Sequence, residues 1–421
     1  MRHFGVSPFV LIFLCISVTY ASLSHIQRIE CDEVKSDDSY DGSTCTITKI
    51  NADEGTEFDF IRNDIRIWWF IKKDLNFGWF KNIIIKDSTV KTIPRPFMTQ
   101  YAKMEVLSMD NCGVVDWHPL TFTHAKNLRQ LLLSRNQVSE IPRLAFFNAN
   151  VLEVIDLQNN RISKIDKYAF INLETLKELK LAYNKLNVID IQIFTNINLR
   201  YFDVSHNTLE NLSIELESVF KQKNMKKHEF KFLANDNQLK QIYIQDDFPV
   251  TELHLQNNQL TFMSTIISLN HLKYLNLQTN PMKNLPLTTF FNLVNLQYLN
   301  VRDTQMDEMH GALFSRLTKL KHLDLSSNNF TKIDIGMLAA MSELEELVLF
   351  NNMLMTADAK SLTLIFPHLK NVWISSNAWD CDDFAEFSNA LKETGIKINT
   401  GEGKYGTKYK GGALCVPTVF L

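Results

Sequence analysis

The sequence predicts an α/β solenoid, a stack of short coils with a parallel sheet along the concave face of a right-handed horseshoe. Three observations predict it. Apolar residues and an asparagine recur in a fixed order every 24 residues, a phenylalanine recurs in phase with them, and cysteines bracket the repeats at both ends.

The clearest copy is Leu128-x-x-Leu131-x-Leu133-x-x-Asn136-x-Val138. It is followed by Leu152, Ile155, Leu157, Asn160, Ile162 and by Leu176, Leu179, Leu181, Asn184, Leu186. Residues two apart on an extended strand point to the same side, so the second and third apolar positions of each copy face a core. One coil cannot bury that side alone, and stacking lets each coil complete its neighbour's core. Where the asparagine falls the chain must turn. There its amide can donate to and accept from backbone groups that would otherwise be buried unpaired. The template is that of a leucine-rich repeat.

Residues 1–21 read as a secretory signal, with Arg2 at the start, an apolar run from Phe9 to Val18, and Thr19-Tyr20-Ala21 as the cleavage site. No later apolar run is long enough to span a membrane. The chain is therefore expected to be secreted and extracellular. Residues 22–79 are expected to form an N-terminal cap. It holds Cys31 and Cys45 around an acidic loop, then an aromatic segment that includes Phe58, Phe60, Trp68, Trp69 and Trp79. Short strands covering the first coil are the expectation for that segment, and carbohydrate binding by the tryptophans is the alternative.

Residues 80–379 hold about thirteen coils, starting at Phe80, Met104, Leu128, Leu152, Leu176 and Leu199. The pattern then loosens around Phe232, Ala234, Asn237 and Leu239, with 221–231 as a lysine-rich insertion. It resumes at Val250, Leu272, Leu296, Leu320, Leu344 and Leu369. The turn position is asparagine in ten coils and Ser88, Cys112 or Thr304 in the others. Eighteen residues after a coil start lie Phe122, Phe146, Phe170, Phe194, Phe290 and Phe314, expected to stack as a spine opposite the sheet. Residues 380–421 form the expected C-terminal cap. A short helix carries Phe384, Phe387 and Leu391, and a Lys/Gly-rich loop runs to Cys415. Cys31 with Cys45 and Cys381 with Cys415 would give one disulfide staple per end. Cys112 is read as a buried thiol, with an intermolecular bridge as the alternative.

Composition is that of an ordinary globular chain, 421 residues with 22% charged and formal net charge −3, which argues against nucleic-acid binding. No H-E-x-x-H, G-x-S-x-G or C-x-x-C motif is present, and the histidines suggest no metal site. The expectation is a protein with no catalytic residues and no cofactor, whose function lies in its surfaces.

The inner wall is formed by the residues two and four after each coil start. In the later coils these include His254, Tyr274, Asn276, Tyr298, Asn300, His322 and Asp324. With strands about 4.8 Å apart, Tyr274, Tyr298 and His322 are expected to form one column, a frequent binding chemistry and also an ordinary sheet face. Val348, Phe350 and Trp373 are expected as an exposed apolar patch, either for a partner or partly under the cap. The lysines Lys221, Lys223, Lys226, Lys227 and Lys231 form either a solvated loop or a contact for an acidic partner. Asn211 and Asn329 each begin an N-glycosylation sequon.

Four stretches together resemble the leucine-rich immune proteins secreted into mosquito haemolymph. They are the spaced Cys31/Cys45 pair, the entry Ile85-Lys86-Asp87-Ser88-Thr89-Val90-Lys91-Thr92-Ile93-Pro94, the irregular middle coils, and the exit Asn377-Ala378-Trp379-Asp380-Cys381. The resemblance implies a role in innate immunity, with a complement-like thioester protein, another leucine-rich repeat protein or a microbial surface as partner. Family members that pair by disulfides carry further cysteines and a coiled coil after the C-terminal cap. Here Val416 follows Cys415 and no heptads follow. The resemblance is thus to short members, expected as a monomer or weak dimer. An extracellular adhesion or developmental ligand-binding protein is the alternative with the same architecture.

Overall fold

The computed structural model describes residues 26–30, 33–35, 44–52, 57–61, 80–93, 98, 101–190, 193, 197–214, 229–246, 248–261, 266, 268–283, 285–356 and 358–399. The signal segment, most of the aromatic segment, Phe194, Cys415 and the lysines of the insertion other than Lys231 lie outside them. The chain divides into two compact units, 1–176 and 177–421.

In the first unit the sheet strands are β1 (Thr44–Thr48), β2 (Asn82–Lys86), β3 (Val106–Ser108), β4 (Gln130–Leu132) and β5 (Val154–Asp156). Each pairs in parallel with the next. The ladder thus takes in a strand that the sequence reading placed in the cap. Cys45 stands opposite Ile83, and the Ile50 amide donates to Ser88 Oγ at 3.0 Å. Cys45 is fully buried and disulfide-bonded. The expected Cys381–Cys415 staple lies outside the described side chains.

In the second unit the strands are β6 (Glu178–Lys180), β7 (Tyr201–Asp203), β8 (Phe230–Leu233), β9 (Val250–His254), β10 (Tyr274–Asn276), β11 (Tyr298–Asn300), β12 (His322–Asp324), β13 (Glu346–Val348) and β14 (Asn371–Trp373). All pair in parallel in that order. Lys231 is a strand residue here, not part of a loop, and its ammonium reaches Glu252 at 2.7 Å. After the helix α1 (Cys381–Glu393), the chain turns at Gly395 (φ 78°) and adds β15 (Lys397–Asn399) beside β14. Part of the expected C-terminal loop is therefore a further sheet strand. Trp379 anchors this end: it is buried, donates Nε1–H to the Ile374 carbonyl at 2.8 Å, and stacks on Phe387 at 6.0 Å.

The turn asparagines perform the backbone pairing that the template requires. Asn136 accepts from the amides of Cys112 and Val114 at 3.0 and 2.9 Å. Its Nδ2 donates to the carbonyls of Met109, Leu133 and Ser134. Each such side chain bonds its own turn and the preceding coil, and Asn328 repeats the pattern in the second unit. Thr304 keeps only the donor half, giving its hydroxyl to the Val301 carbonyl at 2.7 Å. The residue before each turn position is left-handed, from Arg135 (φ 56°) to Tyr183 (56°) and Thr279 (54°). Its amide donates to the next coil, as Thr279 does to the Arg302 carbonyl at 2.9 Å. The spine is present where it is described, with Phe146 stacked on Phe170 at 5.4 Å and Phe290 on Phe314 at 5.9 Å.

Candidate binding face

On strands β9 to β12 the residues that face away from the core bring four rings together, three of them in register. Tyr274 pairs with Tyr298 and Tyr298 with His322 across neighbouring strands. The rings stack at 4.3 Å and 4.4 Å with interplanar angles of 8° and 5°. His254 joins from the diagonal position, its ring 4.5 Å from Tyr274. The expected three-ring column is present and one ring longer. Each ring is half-buried, and the ring faces are spent on one another.

Glu346, from β13, extends the column. Its Oε2 lies 2.8 Å from His322 Nδ1 and its Oε1 accepts the Trp373 indole N–H at 2.7 Å. A carboxylate oxygen accepts, so His322 Nδ1 is the donor of this bond. The Nε2 atoms of His322 and of His254 are both buried without a hydrogen-bond partner. Glu346 occupies the same column position as His322, one coil on. Reading that column past four coils is the signal that would have found it in the sequence.

Three expected wall residues serve the turn instead. Asn276, Asn300 and Asp324 are buried, and each side-chain oxygen accepts the amide two residues on, at 3.0, 2.9 and 2.9 Å. Burial pushes the Asp324 carboxyl above its usual range, against the bonds from Ser326. Burial likewise raises the phenols of Tyr274 and Tyr298, so both are neutral hydroxyls.

The expected exposed patch is corrected. Val348 and Phe350 are only 3% and 4% exposed. Val348 is in register between Asp324 and Trp373, and the Arg302 guanidinium lies 5.0 Å over the Phe350 ring. Trp373 remains half-exposed at the rim, tied down through Glu346. Cys112 is free and fully buried, its thiol donating to the Ile85 carbonyl. Burial first, then Asp110 and Asp87, push that thiol up to about 11, which matches the buried reading and leaves no accessible sulfur for a bridge. Asn211 and Asn329 are both exposed. Among the described residues no cluster of His, Cys, Asp or Glu could hold a metal ion, and no helix is long and apolar enough to cross a membrane.

The leucine rich repeat family model matches residues 150–209 and 295–354. No curated protein sequence matches the chain. Among solved structures, the LRIM1/APL1C complex of mosquito proteins is similar with a TM-score of 0.64 at 20% identity, covering 93% of this chain and 71% of that one. The APL1 leucine-rich repeat domain gives 0.64 at 19% identity, covering 93% and 100%. A chain of the Toll–Spatzle complex, described as a molecular hub in Drosophila development and innate immunity, gives 0.51 at 17%, covering 73% and 52%. Identities this low speak for the fold: the chain is a leucine-rich repeat solenoid.

Proposed function

We propose that this chain is a secreted, non-enzymatic recognition protein of insect innate immunity. It holds a protein partner, of the complement-like thioester class, or a microbial surface against the open sheet face of β9 to β14. The observation that carries the reading is the four-ring column with Glu346 and Trp373 at its end. Rigid, half-exposed tyrosine and tryptophan edges offer large contact area at little entropic cost. The charged groups of the face are also partnered, Lys231 by Glu252 and Glu346 by hydrogen bonds with His322 and Trp373. A partner would therefore be held by hydrogen bonds and ring contacts more than by net charge. The likeness in fold to LRIM1/APL1C supports the immune setting. An extracellular adhesion or developmental ligand-binding role is the second reading, favoured by the likeness to the Toll–Spatzle hub, whose description covers development as well as immunity.

The test is capture of partners from haemolymph by tagged protein, wild type against Tyr274→Phe/Tyr298→Phe. Phenylalanine keeps the stack and removes both hydroxyls. A partner held by wild type and lost or weakened at least several-fold by the double variant is the expected result. Equal capture by both proteins removes this face from the reading. Induction of the transcript by bacterial or parasite challenge separates the immune role from the developmental one.

A further inference from the structure

Both ends of the ring column are imidazoles, and the His254 end is set against its own protonation. The groups that face His254 are few. Glu252 lies on its own strand, Lys231 and Leu233 on β8, Tyr274 on β10, and Asp203 acts from β7. Glu252 Oε2 is 3.7 Å from His254 Nε2, beyond hydrogen-bond reach, and the same oxygen holds Lys231 Nζ at 2.7 Å. His254 Nε2 is thus a buried atom with no partner, beside a carboxylate that is already committed.

We propose that the column His254–Tyr274–Tyr298–His322 is an acid-operated latch on the partner site, closed while His254 is neutral and opened when His254 takes up a proton. Protonation puts N–H donors on both ring nitrogens. A buried donor left without an acceptor is destabilising, the more so when it is charged. The imidazolium meets that demand by swinging off Tyr274, either towards Glu252 in competition with Lys231 or out to water. Both movements remove the first ring of the stack. The loss passes along the column, because Tyr274 and Tyr298 are stacked face to face at 4.3 Å with 8° between their planes. At the other end His322 is held by Glu346 at 2.8 Å and stays stacked on Tyr298 at 4.4 Å. Burial first, then the Lys231 charge, hold His254 below the ordinary imidazole range, against the pull of Glu252 and Asp203.

The sign follows. A histidine lowered on folding binds more protons when unfolded, so its contribution to stability is complete above about pH 6.5 and is lost as pH falls below it. The same window operates the latch, and mild acidification is the releasing condition.

That a partner is released rests on the proposed binding role; the opening of the column does not, and the two are tested separately. The near-ultraviolet circular dichroism of the full chain without partner, between about pH 7.5 and about 5, reads the tyrosine stack, with the far-ultraviolet signal as the check on folding. Wild type should show one reversible transition with its midpoint below about 6.5, and His254→Phe, which keeps a ring at that place, should be flat. Glu252→Gln is the second variant should His254→Phe fold poorly, and it should move the midpoint to lower pH by removing the carboxylate that draws the proton. A flat wild-type curve, an unchanged transition in His254→Phe, or a midpoint unmoved in Glu252→Gln each overturns the latch. With a captured partner, affinity should fall roughly tenfold on acidification for wild type and stay level for His254→Phe. Failure of any partner to bind at either pH sinks the recognition role and leaves the optical result standing as the judgement on the latch.

Discussion

The two units share one coil and differ in what the coil turns outward. On the open sheet face of the first unit, Val106, Gln130 and Val154 share one column, and Ile84, Ser108, Leu132 and Asp156 the other. The aliphatic residues alternate between columns and form a half-exposed zigzag, rimmed by the ion pairs Lys81–Glu105 and Arg129–Glu153. On the second unit the equivalent positions carry three rings in one column, stacked within 4.4 Å, with His254 added from the diagonal at 4.5 Å. Branched side chains on diagonals touch loosely, whereas flat rings in register rigidify one another. The coil dictates its inward residues and leaves its outward ones free, so the chemistry of the face can diverge while the backbone stays the same.

That comparison can be broken first at what the units share. Asn136→Ala and Asn328→Ala each leave several buried backbone groups unpaired, and each should cost about 3–5 kcal/mol in chemical denaturation of the full chain. A loss below about 1 kcal/mol in either unit would mean that its coils are held by packing alone.

The difference between the faces comes next. Tyr298→Ala removes two ring stacks and should destabilise by about 1.5–3 kcal/mol, while Leu132→Ala, on the loose zigzag, should cost under about 1 kcal/mol. Equal losses would show that the ring column is no stiffer than an aliphatic face. An alanine in the column therefore perturbs fold and binding together, which is why phenylalanine is the cleaner test of recognition.

The smallest effect belongs to the rim. Arg129→Ala should shift stability by no more than about 0.5 kcal/mol, because an exposed ion pair gains little over water. A loss above about 1 kcal/mol would make the rim part of the first unit's structure.

Much of the fold was legible because burial is periodic. The two apolar strand positions, the turn asparagine and the phenylalanine spine each repeat in the one-dimensional pattern, and each keeps its place in the structure where it is described. The Tyr274, Tyr298 and His322 column was legible for the same reason. Val348 and Phe350 were misread because position in a coil tells direction but not what lies over it; Phe350 is covered by Arg302, from two coils away. Asn276, Asn300 and Asp324 were misread because a short polar side chain on an outward position can bend back to its own backbone. The strand Thr44–Thr48 was missed because its Cys45 and Ile47, with Ile50 just beyond it, are too few to show a period.

From the amino-acid order alone came the coil, its spacing, its turn chemistry and the columns of the sheet face, because each depends on residues at fixed separations along the chain. Tertiary structure alone decided the rest. Some of the left-handed turn residues, Arg135, Tyr183 and Thr279 among them, have no local preference for that conformation and adopt it because the next coil's carbonyl receives their amides. The state of His254 was likewise beyond the sequence. The engagement of Glu252 by Lys231 and the ring stacked against it bring three strands together, and an ionisable group takes its character from what surrounds it in space.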